Sequence, residues 1–268
     1  MTILLVLTAL AVPPVEILPA EAEKLSAGEV IARSEAAYAG VKTYVGTTKV
    51  QTQSDHGVLR LQLLATAKVT YMRPGKVHIE GRTASVDLSG DGGHKFTIIS
   101  DGTKTWKWWA LHADGAFKEV KNVAMSGMLG VSQGVSDRIP AALMKSDGVW
   151  VGGGDPFIIP RLSPSKIEGH ETVDGLDCYQ LLAEHLRLGT VRLWIDSRTF
   201  FLRKMVVDHN EEQLAENAKR AQELADQRGM PRAINRSPIK WKRDVYSFLI
   251  YDVDGVVDET LFADPTQK

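Results

Sequence analysis

A single cysteine, Cys178, stands among 268 residues. No intramolecular disulfide can form, and stability has to come from packing. Lys and Arg number 32 against 33 Asp and Glu and never gather into a long stripe, which excludes the phosphate-neutralising surface of a nucleic-acid binder. Long apolar runs are missing too: nothing approaches the roughly 18 consecutive apolar residues of a membrane-crossing helix. The seven histidines, His56, His78, His94, His112, His170, His185 and His209, show no pairing at zinc-ligand spacing, and His170-Glu171 lacks the second histidine of a zinc-binding helix. Glycine-rich stretches at 90–93 and 152–154 lack both the spacing and the strand-to-helix setting of a nucleotide loop. The sequence therefore implies no cofactor and no metal.

What is present begins with residues 1–22, which read as a cleavable export signal: an apolar stretch over 3–12, a Pro-containing tract, and Ala20-Glu21-Ala22 as a small-x-small cleavage site. The mature chain is expected from Glu23 as one domain over 23–268. Cleavage removes Glu16 and Glu21 and no base, so the formal charge of -1 becomes +1. With 44% hydrophobic residues the mature chain has ample material for a core.

Residues 58–72 alternate almost without fault. Leu59, Leu61, Leu63, Ala65, Ala67, Val69 and Tyr71 share one face, and Arg60, Gln62, Thr66, Lys68 and Thr70 the other. Strict period-2 alternation marks a half-buried antiparallel strand. At about 3.3 Å per residue this one is roughly twice the usual length, so it has to twist and curve to bury its apolar side. Ser26 and Glu29 form a capping box ahead of a stripe of Val30, Ser34, Ala37, Tyr38 and Val41, which predicts an amphipathic helix ending near Gly40. Further strands are expected at 43–53, 76–81, 95–100, 103–110, 167–171, 177–184, 190–195, 200–207 and 239–253, joined by turns such as Pro74-Gly75 and Asp101-Gly102. The implied fold class is mainly β (α+β): a strongly curved antiparallel sheet forming an unclosed half-barrel. An N-terminal helix and a Met- and Gly-rich flap over 123–145 would cover it. A charged helical insertion at about 210–238 carries an apolar stripe too thin for a core helix, so it is expected on the surface.

Gly130-Val131-Ser132-Gln133-Gly134 matches the literal nucleophile-elbow pattern, yet that chemistry needs a buried parallel strand before the serine and a helix after it, and a meander supplies neither. Cys178 lies inside an expected strand and reads as a buried small hydrophobe. Asp252, Asp254, Asp258 and Glu259 cluster around Gly255, but the glycine comes too early for an EF-hand, and Asp-Gly at a strand end reads as a turn.

Four stretches carry a family resemblance: residues 36–44 (AAYAGVKTY), 99–106 (ISDGTKTW), 173–179 (VDGLDCY) and 191–199 (VRLWIDSRT), the last followed by Phe201-Leu202-Arg203-Lys204-Met205. In this order and spacing they resemble the periplasmic lipoprotein-carrier superfamily, the LolA and LolB type, which includes the lipoprotein-sensing domain of RseB-type regulators. The resemblance implies an unclosed, bent β-barrel covered by helices, an apolar cavity for acyl chains or lipidated proteins, and a periplasmic or otherwise exported location. The insertion departs from the simpler carriers.

Together these expectations describe an exported protein, not an enzyme, that binds a lipid or an acylated lipoprotein for carriage or sensing. Leu59, Leu61, Leu63, Val69, Trp106, Trp108, Leu193 and Tyr251 are the expected cavity wall, with Met125, Met128, Leu129 and Met144 on the cover. The alternative is an interaction or envelope-sensor module whose barrel is filled by its own side chains and which meets an envelope protein partner. A serine hydrolase using Ser132 is the third reading.

Overall fold

The computed structural model describes residues 25–111, 115–120, 139, 143–144, 162–185, 189–227 and 239–267. Helix α1 (Ala27–Gly40) opens the described chain on the expected capping box: Ser26 Oγ accepts from the Glu29 backbone N–H, and the Glu29 carboxylate accepts from the Ser26 backbone N–H at 2.7 Å. Eleven strands follow: β1 (Thr43–Asp55), β2 (Arg60–Met72), β3 (Lys76–Ser85), β4 (Lys95–Asp101), β5 (Thr105–Trp109), β6 (Lys118–Glu119), β7 (Leu162–Val173), β8 (Leu176–His185), β9 (Gly189–Asp196), β10 (Leu202–Asn210) and β11 (Trp241–Val253). They form one antiparallel sheet in the order β6-β5-β4-β3-β2-β1-β11-β10-β9-β8-β7. Its two edges, β6 and β7, do not pair, so the barrel is open as the sequence implied.

The long alternating strand is two residues shorter at its start than the pattern suggested. β1 runs to Asp55 and pairs there with Arg60, so residues 56–59 make the turn, with Gly57 at a φ of 83° and its N–H on the Asp55 carboxylate. Positive φ at that corner suits glycine, and Val58 and Leu59 are left outside the ladder.

Register fixes which side chains share a face. On the inner face, defined by the core, rows run Tyr44–Tyr71–Val77 and Val69–Ile79–Ile98 through β1 to β4, and Tyr246–Met205–Leu193–Leu181 through β11 to β8. These join one buried cluster with Val30 and Tyr38 of α1. Each large apolar side chain so enclosed contributes roughly 1.5–3 kcal/mol relative to exposure. Tyr38 meets Phe201 edge-on at 5.1 Å, and its hydroxyl accepts from the Leu202 N–H at 3.1 Å, beside the register shift at the start of β10. Arg73 gathers the carbonyls of Ala39 and Val41 at the end of α1, a cation supplied where the helix leaves its last C=O groups unmatched.

The outer face carries its own small cluster of Cys178, Trp194 and Val206. A C-terminal 3-10 helix, Glu259–Phe262, lies against β3 and β4. The carboxylates near Gly255 serve local structure. Asp254 accepts from the Lys42 and Thr43 N–H groups, and Asp258 caps the 3-10 helix. Among the described residues no group of three or more metal-ligating side chains occurs, and no helix is long and apolar enough to cross a membrane. Helix α2 (Glu211–Gln227) starts directly at the end of β10, where Asn210 and Gln213 cap each other reciprocally, and it shows mostly exposed side chains.

Candidate functional site on the inner face

The inner face changes character along the strands. Near α1 it is closed: Val69 is 1% exposed, and Leu193 and Met144 are fully buried. The same core takes in Ile139 and Leu143, and the Leu143 carbonyl meets Tyr71 Oη and Arg73 at 3.4 Å. Toward the turn that joins β1 to β2, Leu61 and Leu63 still point inward but are only half-buried.

Across the sheet from these leucines lies a group of polar side chains on the same face. One row reads His209–Lys242–Ser54–Leu61 and the next Val207–Asp244–Thr52–Leu63. Asp244 is the hub. Its Oδ1 accepts from Thr52 Oγ1 at 2.6 Å, and its Oδ2 lies 2.7 Å from Lys242 Nζ and 3.4 Å from His209 Nε2. Burial alone would raise this carboxyl, but the contacts from His209, Lys242 and Thr52 outweigh it and hold the pKa at about 2. His209 is 6% exposed, and its Nδ1 meets no hydrogen-bond partner among the described residues, a deficit of about 1–3 kcal/mol unless a polar group reaches it. Neighbouring strands are about 4.8 Å apart, so this end of the inner face passes from ionic to aliphatic within roughly 10–15 Å.

Of the side chains expected on the cavity wall, Val69, Leu193, Leu61 and Leu63 share the inner face, the first two in the closed part and the last two in the open part. The others stand elsewhere. Leu59 lies in the turn and is 53% exposed. Trp106 and Trp108 point to the outer face, because Phe96 pairs with Trp109 and Ile98 with Lys107, which turns Thr105, Lys107 and Trp109 inward. Trp106 is buried nonetheless, while Trp109 packs against the inner core. Tyr251 is the extra residue of a bulge between Val45↔Asp252 and Gly46↔Ile250, and it is exposed. Met125, Met128, Leu129 and Ser132 lie outside the described residues.

The polar cluster was not anticipated from sequence, although β11 carries the signal. Lys242 and Asp244 have the parity of Tyr246 and Phe248, so two charges continue an apolar face.

Nucleophilic chemistry finds little support here. Ser54 Oγ lies 3.2 Å from His56 Nε2, but among the described residues no carboxylate engages the other ring nitrogen of His56, the third group that such a pair needs. Cys178 is buried, and desolvation pushes its thiol up to about 11, far from the thiolate a nucleophile requires. A maleimide should therefore leave Cys178 unmodified in the folded protein and label it on unfolding. Rapid labelling without denaturant would contradict this placement.

No protein-family model matches the sequence, and no curated protein matches it. Solved structures do. The chain is similar to a LolA superfamily protein from Nitrosomonas europaea, with 9% identity over 90% of this chain and 99% of that one and a TM-score of 0.33. It is similar to LprF from Mycobacterium bovis, with 13% identity over 88% and 95% and a TM-score of 0.44. The third is the MucA/MucB complex of Pseudomonas aeruginosa, with 11% identity over 89% and 61% and a TM-score of 0.41.

Proposed function

We propose that the mature chain, residues 23–268 after loss of an export signal over 1–22, is an exported protein that binds an amphiphile. The ligand would be a lipid or the acyl group of a lipoprotein, held against the open end of the inner face for carriage or sensing, with no chemical step. The observation that carries this is the juxtaposition on two adjacent rows of half-exposed Leu61 and Leu63 with the Asp244, Lys242, His209 and Thr52 group. Aliphatic surface left partly open on the concave side of a sheet offers a chain its driving force at roughly 25 cal/mol per Å², less the cost of ordering it. The buried Nδ1 of His209 and the Lys242 ammonium give a polar head something to meet. The sequence resemblance to lipoprotein carriers points the same way.

The closed core around Val69, Leu193 and Met144 favours a second reading, in which the barrel is filled by its own side chains and the protein works as an interaction or sensor module for an envelope partner. Native mass spectrometry of the exported protein, followed by solvent extraction, separates the two. Stoichiometric phospholipid or acylated peptide is the expected result. A clean ligand-free mass, with no uptake of added lipid, would support the filled module instead.

A further inference from the structure

The outer face holds a separate groove of about 440 Å³, on the side of the sheet opposite the acyl-binding face, within the usual range for small-molecule sites. Its floor is the central strands. Lys68 of β2, Arg82 of β3 and Lys95 of β4 supply three cations; Glu80 is the one carboxylate among the lining side chains, and Asp87 of the adjoining loop lies within electrostatic reach of Arg82. Lys95 pairs directly with Arg82, and Glu80 with Lys68, so the charges stand on neighbouring strands. Lys68 and Lys95 make no ion pair among the described residues, and Arg82 spends one N–H on the Gly93 carbonyl at 3.4 Å. Glu80 has His78 Nε2 at 3.6 Å.

The walls are built rather than loose. Over residues 85–91 the β3–β4 loop is locked by consecutive turns in which Asp87 N–H meets Ser85 Oγ, Ser89 N–H meets Asp87 Oδ1 and Asp91 N–H meets Ser89 Oγ. Gly90 sits close over Thr66 and Leu64, so this loop forms one side. On the other side the half-buried indole of Trp108 is pinned by its Nε1–H on the Gly115 carbonyl at 3.0 Å. Its ring lines the groove, and Thr47, Thr66 and Thr97 add hydroxyls between the cations.

We propose that this groove binds an anionic sugar, a pyranose ring carrying a carboxylate group. Each component matches one part of such a ligand. The apolar C–H face of the ring lies on Trp108, and its hydroxyls exchange hydrogen bonds with the threonines and Glu80. Its anionic group meets Arg82 with Lys68 or Lys95, the charge-assisted and bidentate geometry that guanidinium favours. A bare anion would use the cations and leave the indole and the hydroxyls idle.

The test is isothermal titration of the full mature chain with tetragalacturonate, with maltotetraose, tetraglutamate and inorganic phosphate as comparisons, at two salt concentrations. Tetragalacturonate should bind at least about tenfold tighter than maltotetraose and tetraglutamate, and more weakly at high salt. A double change, Lys68→Gln with Arg82→Gln, should weaken it about tenfold or more while leaving the melting temperature in place, since both side chains reach solvent. Trp108→Phe should keep part of the affinity. Equal binding of phosphate or tetraglutamate would overturn the sugar assignment. Absence of tetragalacturonate binding, or full affinity in the double variant, would overturn the site.

Discussion

Replacing Asp244 with alanine is expected to destabilise the fold by about 3 kcal/mol at neutral pH, with loss of half of a buried ion pair as the cause. Asp244 is 5% exposed and matches three groups at once: Thr52, Lys242 and His209. Alanine removes the acceptor and leaves the buried imidazole and hydroxyl without it. The figure sits at the low end of the range for broken buried pairs because Lys242 is about a third exposed and can turn its ammonium to water. Chemical denaturation should show the midpoint lowered with the slope unchanged.

The same carboxyl links stability to acid. Its folded value of about 2 lies below the ordinary 3.8. A depressed carboxyl adds stability that is fully present above the unfolded value and is lost as pH falls through the folded one. Between about pH 4 and pH 2 the native protein should therefore lose on the order of 2 kcal/mol that an Asp244→Asn variant does not lose. Identical acid profiles for the two proteins would remove the cluster from the stability of this end of the sheet.

The alternation of residues 60–72, the capping box at Ser26 and the succession of short turns made the half-barrel legible, because each is a local pattern with one physical reading. Face assignment was less legible wherever apolar residues stand side by side. Ile98-Ile99 and Trp108-Trp109 satisfy either parity, and only the pairing of Ile98 with Lys107 decides that Trp109 faces in and Trp106 and Trp108 face out. Tyr251 failed for a related reason: a bulge adds one residue to β11, and sequence alternation cannot register it. Nor does alternation reveal that His209 and Asp244, 35 positions apart, meet through the β10–β11 pairing. Trp106 is buried although it faces out, and alternation is equally silent on the C-terminal 3-10 helix, which meets β3 and β4 from more than 150 residues away.

Leu61→Asp is expected to remove at least about nine-tenths of the lipid recovered with the protein while shifting stability by no more than about 1 kcal/mol. The two effects separate because of where Leu61 stands. It is half-buried at the open end and points inward, so a carboxylate there keeps access to water in the empty protein. An acyl chain laid over the row from Ser54 to Leu61 would close that access, and an unpaired charge under hydrocarbon costs several kcal/mol, against about 1.4 kcal/mol for each tenfold in affinity. Lys242 stands two strands away on the same row, so a partial pairing with the new carboxylate would moderate the loss without restoring an aliphatic surface. Leu193→Ala is the instructive contrast: fully buried in the closed core, it should cost about 2–5 kcal/mol whether or not a ligand is present. A Leu61→Asp protein that folds and still carries lipid at the native ratio would place the acyl chain elsewhere. A wild-type protein that carries none, with Leu61→Asp indistinguishable from it, would leave the filled module as the account of this barrel.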